Sequence, residues 1–352
     1  MHAQQQLPAI RLDGPVYAAA VSPDGRYIAV NTVTFVQNAA GSWENAESVQ
    51  ILEPATAKLV GKARLISADL TKEPLTSPGA FVSYCDNGKR LVSYDKNDNL
   101  YVLNASSYQV ESRIPLGLGS LRPHDDQTSG VQLMFSCSAN SSLIALAVHG
   151  GHFGYGMIKL FDLASGDMLR EIYQDSSSGQ IGAISMSSSG KRLAILLQNP
   201  QWPARPLKGP NVDIREAHHL NIIARLSTGD APWNLTFSGE TEVVTDQLAV
   251  EDKSGKGSKR VVRLWNVESE REEKRLSDSH LDIEGPISSS TDGETILGYI
   301  PSYHECKFCN GLEGRREVKE QRFAVWKKVQ GRRCFGRSLS ARCSSPFHRS
   351  AS

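Results

Sequence analysis

Six times along this chain, two short alternating strands meet at a tight polar turn. The copies are AVSPDGRYIAV (20–30), FVSYCDNGKRLVSYD from Phe81, LMFSCSANSSLIALAV from Leu133, AISMSSSGKRLAILL from Ala183, NLTFSGETEVVTD from Asn234 and ISSSTDGETILGYI from Ile287. The turns fall near Asp24, Asn87, Asn140, Ser189, Gly239 and Asp292, at intervals of 63, 53, 49, 50 and 53 residues. Asp-Gly and Asn-Gly supply the backbone angles that a tight reversal needs, so each copy reads as a hairpin. A fixed period of supersecondary units constrains the fold more than any single motif does.

A second element follows each hairpin. It begins at Ser48 (SVQILEPATAKLV), Asn99 (NLYVLNASSYQV), Met157 (MIKLFDLASGDML), His219 (HLNIIARLST), Val261 (VVRLWNVESEREEKRL) and Arg322 (RFAVWKKV). Its form is an alternating run, a polar or acidic corner, and a second alternating run. Each unit is therefore four strands, a to d, with almost no helix; the charged run around Glu270 is the one short helical candidate. A single four-stranded sheet cannot bury both faces, but sheets packed around an axis bury one another's. The chain thus reads as all-β: a β-propeller of four-stranded antiparallel blades, six by this count and seven if one has been lost or replaced.

At these residues the chain resembles the WD40-type β-propellers. IKLFDLASGDMLREI (Ile158–Ile172) and VRLWNVESEREEKRL (Val262–Leu276) are similar to that family's strand-c corner, and VSPDGRYIAV to its a–b hairpin. The Trp-Asp pair is degenerate, reading Leu52-Glu53, Leu103-Asn104, Phe161-Asp162, Trp265-Asn266 and Trp326-Lys327. The Gly-His landmark is missing, with His124 and His280 only loosely in place. The buried Asp/His/Ser-Thr/Trp network that braces such blades is therefore expected to be incomplete. The resemblance implies a propeller over residues 1–330 and an interaction scaffold. LPAIRL (Leu7–Leu12) is a candidate fourth strand for the blade holding Val325 and Trp326, and 331–352 reads as a basic, Ser/Arg-rich, disordered tail.

Extra length gathers between strands b and c, at Gln37–Glu47, His149–Gly156, Gln198–His219, Asp246–Arg260 and Pro301–Gln321. In a propeller these connections share one rim with the d–a connections, and long loops on a rigid scaffold are where function concentrates. They carry the candidate partner-binding residues Trp43, His152, Phe153, Tyr155, Trp202, Arg205, His218, His219 and Tyr303, of types enriched at interface hot spots.

Formal net charge is +1, which argues against a whole-domain nucleic-acid footprint. From Glu313 to Ser352 eleven Lys/Arg face three Glu, leaving −7 on the preceding residues. That basic end is a candidate contact for an acidic partner. No apolar run reaches membrane-spanning length. The N-terminus has no basic-then-apolar signal pattern. Together these point to a cytoplasmic or nuclear, non-secreted protein. Cys85 and Cys137 sit in alternating stretches and read as buried free thiols. Cys306 and Cys309, with His304 nearby, form a weak metal-like pair. Cys334 and Cys343 do not complete it, so no metal and no cofactor are assigned. There is no GxSxG, HExxH, P-loop or strand-bound GxGxxG. The reading is a non-enzymatic scaffold for protein partners. The alternatives are a lactonase- or quinoprotein-like propeller enzyme with a central metal or cofactor, and a degenerate propeller without independent activity. Asp24 is read as a turn-former rather than a catalytic acid.

Overall fold

A computed structural model describes residues 16–37, 43–53, 56, 58–65, 81–94, 99–118, 132–149, 156–174, 179–198, 211–228, 232–249, 259–276, 287–289, 295–305, 316–329 and 332–336. Among these, every regular element is a strand. The first sheet is β1 (Val16–Val21), β2 (Ile28–Gln37), β3 (Trp43–Glu53) and β4 (Lys58–Arg64). The second is β5 (Val82–Cys85), β6 (Arg90–Tyr94), β7 (Asn99–Asn104) and β8 (Val110–Pro115). The third is β9 (Gln132–Cys137), β10 (Leu143–His149), β11 (Gly156–Asp162) and β12 (Met168–Gln174). The fourth is β13 (Gln180–Met186), β14 (Arg192–Gln198), β15 (Val212–Glu216) and β16 (Ile222–Leu226). The fifth is β17 (Pro232–Ser238), β18 (Glu242–Ala249), β19 (Lys259–Asn266) and β20 (Arg271–Arg275). The sixth is β21 (Ile287–Ser289), β22 (Thr295–Glu305), β23 (Arg316–Val329) and β24 (Arg332–Gly336). Each sheet keeps its four strands in chain order. The first five are described with side chains on every strand; in the sixth the strand pairing is described, with side chains only at Ile287, Ser289 and Ile296.

Strands b and c are buried on both faces. The consecutive residues Ile144, Ala145, Leu146 and Ala147 are all fully buried, as are Leu193, Ala194, Ile195 and Leu196 in β14 and Leu100, Val102 and Leu103 in β7. The runs taken as alternating include near-continuous apolar stretches such as LIALAV and LAILL, which burial on both faces accounts for. The contacts divide the chain into two compact units. One is Met1–Ile181 with Ser189–Lys191 and Ala217–Leu220; the other is Gly182–Ser188, Arg192–Glu216 and Asn221–Ser352. In the first unit, one core joins Ala29, Val49, Ile51 and Leu65 to Val82, Leu91 and Tyr101, so the first sheet packs on the second. Another joins Val92, Leu100 and Val102 to Ile144, Leu146 and Phe161, packing the second on the third. In the second unit, Leu196, Val212 and Ile214 pack against Phe237, Val243 and Trp265.

The corner between strands c and d follows one rule in successive sheets. The amides of Tyr108 and Gly166 donate to the carbonyls of Asn104 and Asp162, each at 2.8 Å. The side chains of those corner residues accept from backbone amides just ahead: Asn104 from Ser106 and Ser107, Asp162 from Ala164. Four residues after the corner the backbone is left-handed, at Tyr108 (φ 58°), Gly166 (φ 80°), Leu220 (φ 58°) and Glu270 (φ 55°). The same turn chemistry makes Glu270 part of a reversal, so the helical expectation there is corrected. Strand d then carries a bulge: its ladder skips Val60, Glu111, Leu169, Ile223 and Glu273.

Three further expectations change. Cys85 and Cys137 are not free thiols: they form a disulfide between the ends of β5 and β9, with Cα atoms 5.7 Å apart. Alternation at each cysteine reports burial, but only the packing of two sheets shows that they meet. The fourth strand of the sixth sheet is Arg332–Gly336, paired with Val325–Val329, so the basic segment expected as a tail from 331 begins with a strand. Leu7–Leu12 and 337–352 lie outside the described residues. In the fourth sheet, strand c is Val212–Glu216 and the run from His219 holds strand d instead.

Candidate functional site

Because the strands of each sheet run antiparallel in chain order, a–b and c–d connections leave one end and b–c and d–a connections the other. The a–b and c–d connections are uniformly short, none longer than residues 22–27. At the opposite end the b–c connections reach residues 199–211 and the d–a connections 65–81 and 116–131. Long connections therefore collect at one end of each blade.

That end is braced by buried polar side chains, which the sequence analysis missed. In the first sheet Gln50 donates to Thr32 Oγ1 at 2.7 Å, and the Thr32 and Ser48 hydroxyls are 3.0 Å apart. Asn31 Nδ2 donates to Ser93 Oγ of the second sheet at 2.9 Å, and Ser93 donates on to the Phe81 carbonyl. In the fourth sheet Asn211 Oδ1 accepts from both the amide and the hydroxyl of Thr228. In the fifth, fully buried Asp246 accepts from the Asn234 amide at 2.6 Å and from its side chain. The Ser93–Phe81 bond ties the end of the connection 65–81, and the Asn211–Thr228 pair the end of the connection 199–211, to the body of a sheet. Buried polar groups paired in this way rigidify and specify one arrangement. On sequence they look like the polar half of an alternating strand, so only the stray buried amide at Asn31 or acid at Asp246 hinted at them.

One element of the bracing network implied by the WD40 resemblance is present, with Trp265 Nε1 donating to Thr245 Oγ1 at 2.9 Å. The opposite end is made of turns. Asp24 accepts from the Ser22 hydroxyl at 2.6 Å and the Arg26 amide at 3.0 Å. These bonds, the Ser22 hydroxyl foremost, hold its carboxyl below the usual range, as the geometry of a turn-former requires.

The candidate residues do not assemble as a single loop face. Trp43 opens β3 opposite Gln37, and Tyr303 lies within β22 opposite Val318. These strands run further than alternation indicated, so the loops there shrink to 38–42 and 306–315. His218 and His219 are exposed in the β15–β16 turn, at the short-loop end, because strand c is Val212–Glu216. Their placement in a b–c loop is corrected. His152, Phe153, Tyr155, Trp202 and Arg205 lie outside the described residues, as do Cys306 and Cys309, while His304 is in β22 opposite Glu317.

No family model and no curated protein matches the chain. Solved structures do match in fold. Hydrazine synthase of Kuenenia stuttgartiensis is 15% identical with a TM-score of 0.53, over 93% of this chain and 80% of that one. The Pan2 WD40 domain of Neurospora crassa is 12% identical with a TM-score of 0.52, over 93% and 81%. A chain of a mitotic checkpoint complex is 11% identical with a TM-score of 0.52, over 96% and 83%.

The fold is a WD40-like β-propeller.

Its blades keep the a-to-d order, and Trp-Asp stands at none of the corners Leu52-Glu53, Leu103-Asn104, Phe161-Asp162, Trp265-Asn266 and Trp326-Lys327. The first strands of the propeller blades read VYAAAV, VSYC, QLMFSC, QIGAISM, PWNLTFS and ISS, and carry no charged residue and no histidine.

Proposed function

We propose that this propeller is a non-enzymatic scaffold that binds protein partners at the end carrying the b–c and d–a connections. The observation that carries the reading is the asymmetry of loop length, with connections as long as 199–211 and 65–81 at one end and only tight turns at the other. Loops mounted on braced strands lose less conformational freedom on binding. The uncharged first strands support a non-catalytic role, since a central metal or general acid–base site draws carboxylates or imidazoles from those strands. The basic C-terminal segment is an accessory contact for an acidic partner.

The test is affinity capture with the intact chain and with residues 200–209 replaced by a Gly/Ser linker of equal length. The proposal expects partners to be lost from the second sample while thermal stability is kept. An unchanged partner set would move the binding surface elsewhere.

A further inference from the structure

We infer that Asn140, in the turn between β9 and β10, is the acceptor of an N-linked glycan, added in the oxidising compartment where Cys85 and Cys137 are joined. This turn lies at the short-connection end of the third sheet, so the inference stands or falls independently of the partner-binding end.

The chain holds three Asn-x-Ser/Thr triplets, Asn104-Ala-Ser, Asn140-Ser-Ser and Asn234-Leu-Thr. A folded protein tolerates a glycan on such a triplet only where the side-chain nitrogen can carry a bulky, solvated group. The fold separates the three. Asn104 is half-buried, with Nδ2 donating to Glu111 at 2.9 Å and Oδ1 accepting from the Ser106 and Ser107 amides. Asn234 is half-buried too, with Nδ2 donating to the fully buried Asp246 carboxylate at 3.3 Å. A glycan on either nitrogen would sit where the c–d corner or the buried brace has to form.

Asn140 differs in both respects. It is exposed, and its side chain makes no hydrogen bond among the described residues. The turn closes without it. The Ser138 amide donates to the Leu143 carbonyl at 2.9 Å, the Ser141 amide to Ser138 Oγ at 3.1 Å, and the Leu163 amide to the Ser142 carbonyl at 2.7 Å. Asn87 Nδ2 of the second sheet donates to the Asn140 carbonyl at 3.4 Å. The main chain at Asn140 is thus held while its side-chain nitrogen stays available.

Three residues earlier, Cys137 is joined to Cys85. Disulfides form and persist in oxidising compartments, and these include the lumen in which N-linked glycans are added. The two modifications therefore belong together, against the cytoplasmic or nuclear expectation drawn from the sequence. A sugar chain on Asn140 covers the end of the blade away from the long connections and leaves those connections open.

The co-reactant is a lipid-pyrophosphate-linked oligosaccharide. Asn140 Nδ2 forms a bond to the anomeric carbon of the sugar, and the bond from that carbon to the pyrophosphate oxygen breaks. One Nδ2 proton is released, the lipid pyrophosphate leaves, and the nitrogen keeps its other hydrogen.

The experiment takes the full chain from the cells that make it, with thiols alkylated before lysis, and treats it with peptide N-glycosidase in heavy-oxygen water. That amidase converts a glycosylated asparagine into a heavy-labelled aspartate, so peptide masses read each site in the unaltered protein. The result expected is a gain in electrophoretic mobility, label at Asn140 and none at Asn104 or Asn234, with Cys85 and Cys137 recovered in one linked peptide. Asn140→Gln and Ser142→Ala, made in the same cells, should each abolish the mobility change. No label at Asn140, label of equal extent at Asn104 or Asn234, or alkylated thiols at Cys85 and Cys137 would each overturn the proposal.

Discussion

The ring of Tyr108 occupies the space that a side chain at position 61 would need, joining the corner of the second sheet to the outer strand of the first. Tyr108 adopts a left-handed backbone (φ 58°), uncommon for a bulky residue, and its hydroxyl titrates above the ordinary range because the ring is partly desolvated. Gly61→Ala forces this ring aside and should lower stability by about 2 kcal/mol. In a Tyr108→Gly background the space is open and the left-handed angle relaxed, so the same change should cost less than ~0.5 kcal/mol. Chemical denaturation of the four proteins in this cycle measures the coupling. Additive effects would contradict it.

The disulfide between Cys85 and Cys137 closes a loop across 52 residues. The intact mass of the oxidised protein should be two hydrogens short of the reduced one, with a peptide joining the two cysteines. Replacing both by alanine should cost about 2–4 kcal/mol, most of it absent when the parent is measured under reductant.

At the two Asn corners a second pairing reaches seven residues on. Where the corner is Asn, the bulge residue is Glu, and the amide donates to it: Asn104 to Glu111 at 2.9 Å and Asn266 to Glu273 at 2.8 Å. Where the corner is acidic, at Glu53, Asp162 and Glu216, the bulge residue is Val60, Leu169 or Ile223. Like charges are thereby kept apart. Asn104→Asp should destabilise by about 1 kcal/mol, and adding Glu111→Leu should recover most of it. Thermal unfolding at low and high salt checks this, with the single-variant defect shrinking as salt rises.

Glu171 sits under the Tyr173 hydroxyl at 2.7 Å and 3.3 Å from Lys159, whose ammonium also donates to the Leu116 carbonyl at 2.8 Å. The tyrosine hydrogen bond first, and the lysine second, hold its carboxyl below the ordinary 4.5. A folded value below the unfolded one contributes stability above the unfolded pKa and loses it as pH falls through the folded value. Glu171→Gln should therefore be less stable than the parent at neutral pH, by about 1 kcal/mol given its partial exposure, with the gap closing under acid. A gap that persists unchanged below the carboxylate range would contradict the assignment.

The repeat and its a–b turns were legible because Asp24, Asn87 and Gly239 mark reversals with residues chosen for backbone angle. The corner was half legible: Asn104, Asp162 and Asn266 stand in the degenerate Trp-Asp position, but the left-handed residue four places on is glycine only at Gly166, the others being Glu270 and the bulkier Tyr108 and Leu220. No local chemistry flags those two, because packing rather than propensity holds them. The same limit misplaced His218 and His219: both IREAHH and LNIIARL alternate, and only pairing of Val212–Glu216 with β14 decides which is strand c. The disulfide and the Asn31–Ser93 bond are relations between sheets, and the other buried polar braces are relations between strands, so single-strand periodicity carries no information about them.

The scaffold account turns on which end of the blades meets a partner. A photo-crosslinking amino acid placed at Trp202, in the connection between β14 and β15, and separately at Arg26, in the β1–β2 turn, measures this directly. The account predicts partner peptides joined to position 202 and none to position 26. Crosslinks confined to position 26 would contradict it.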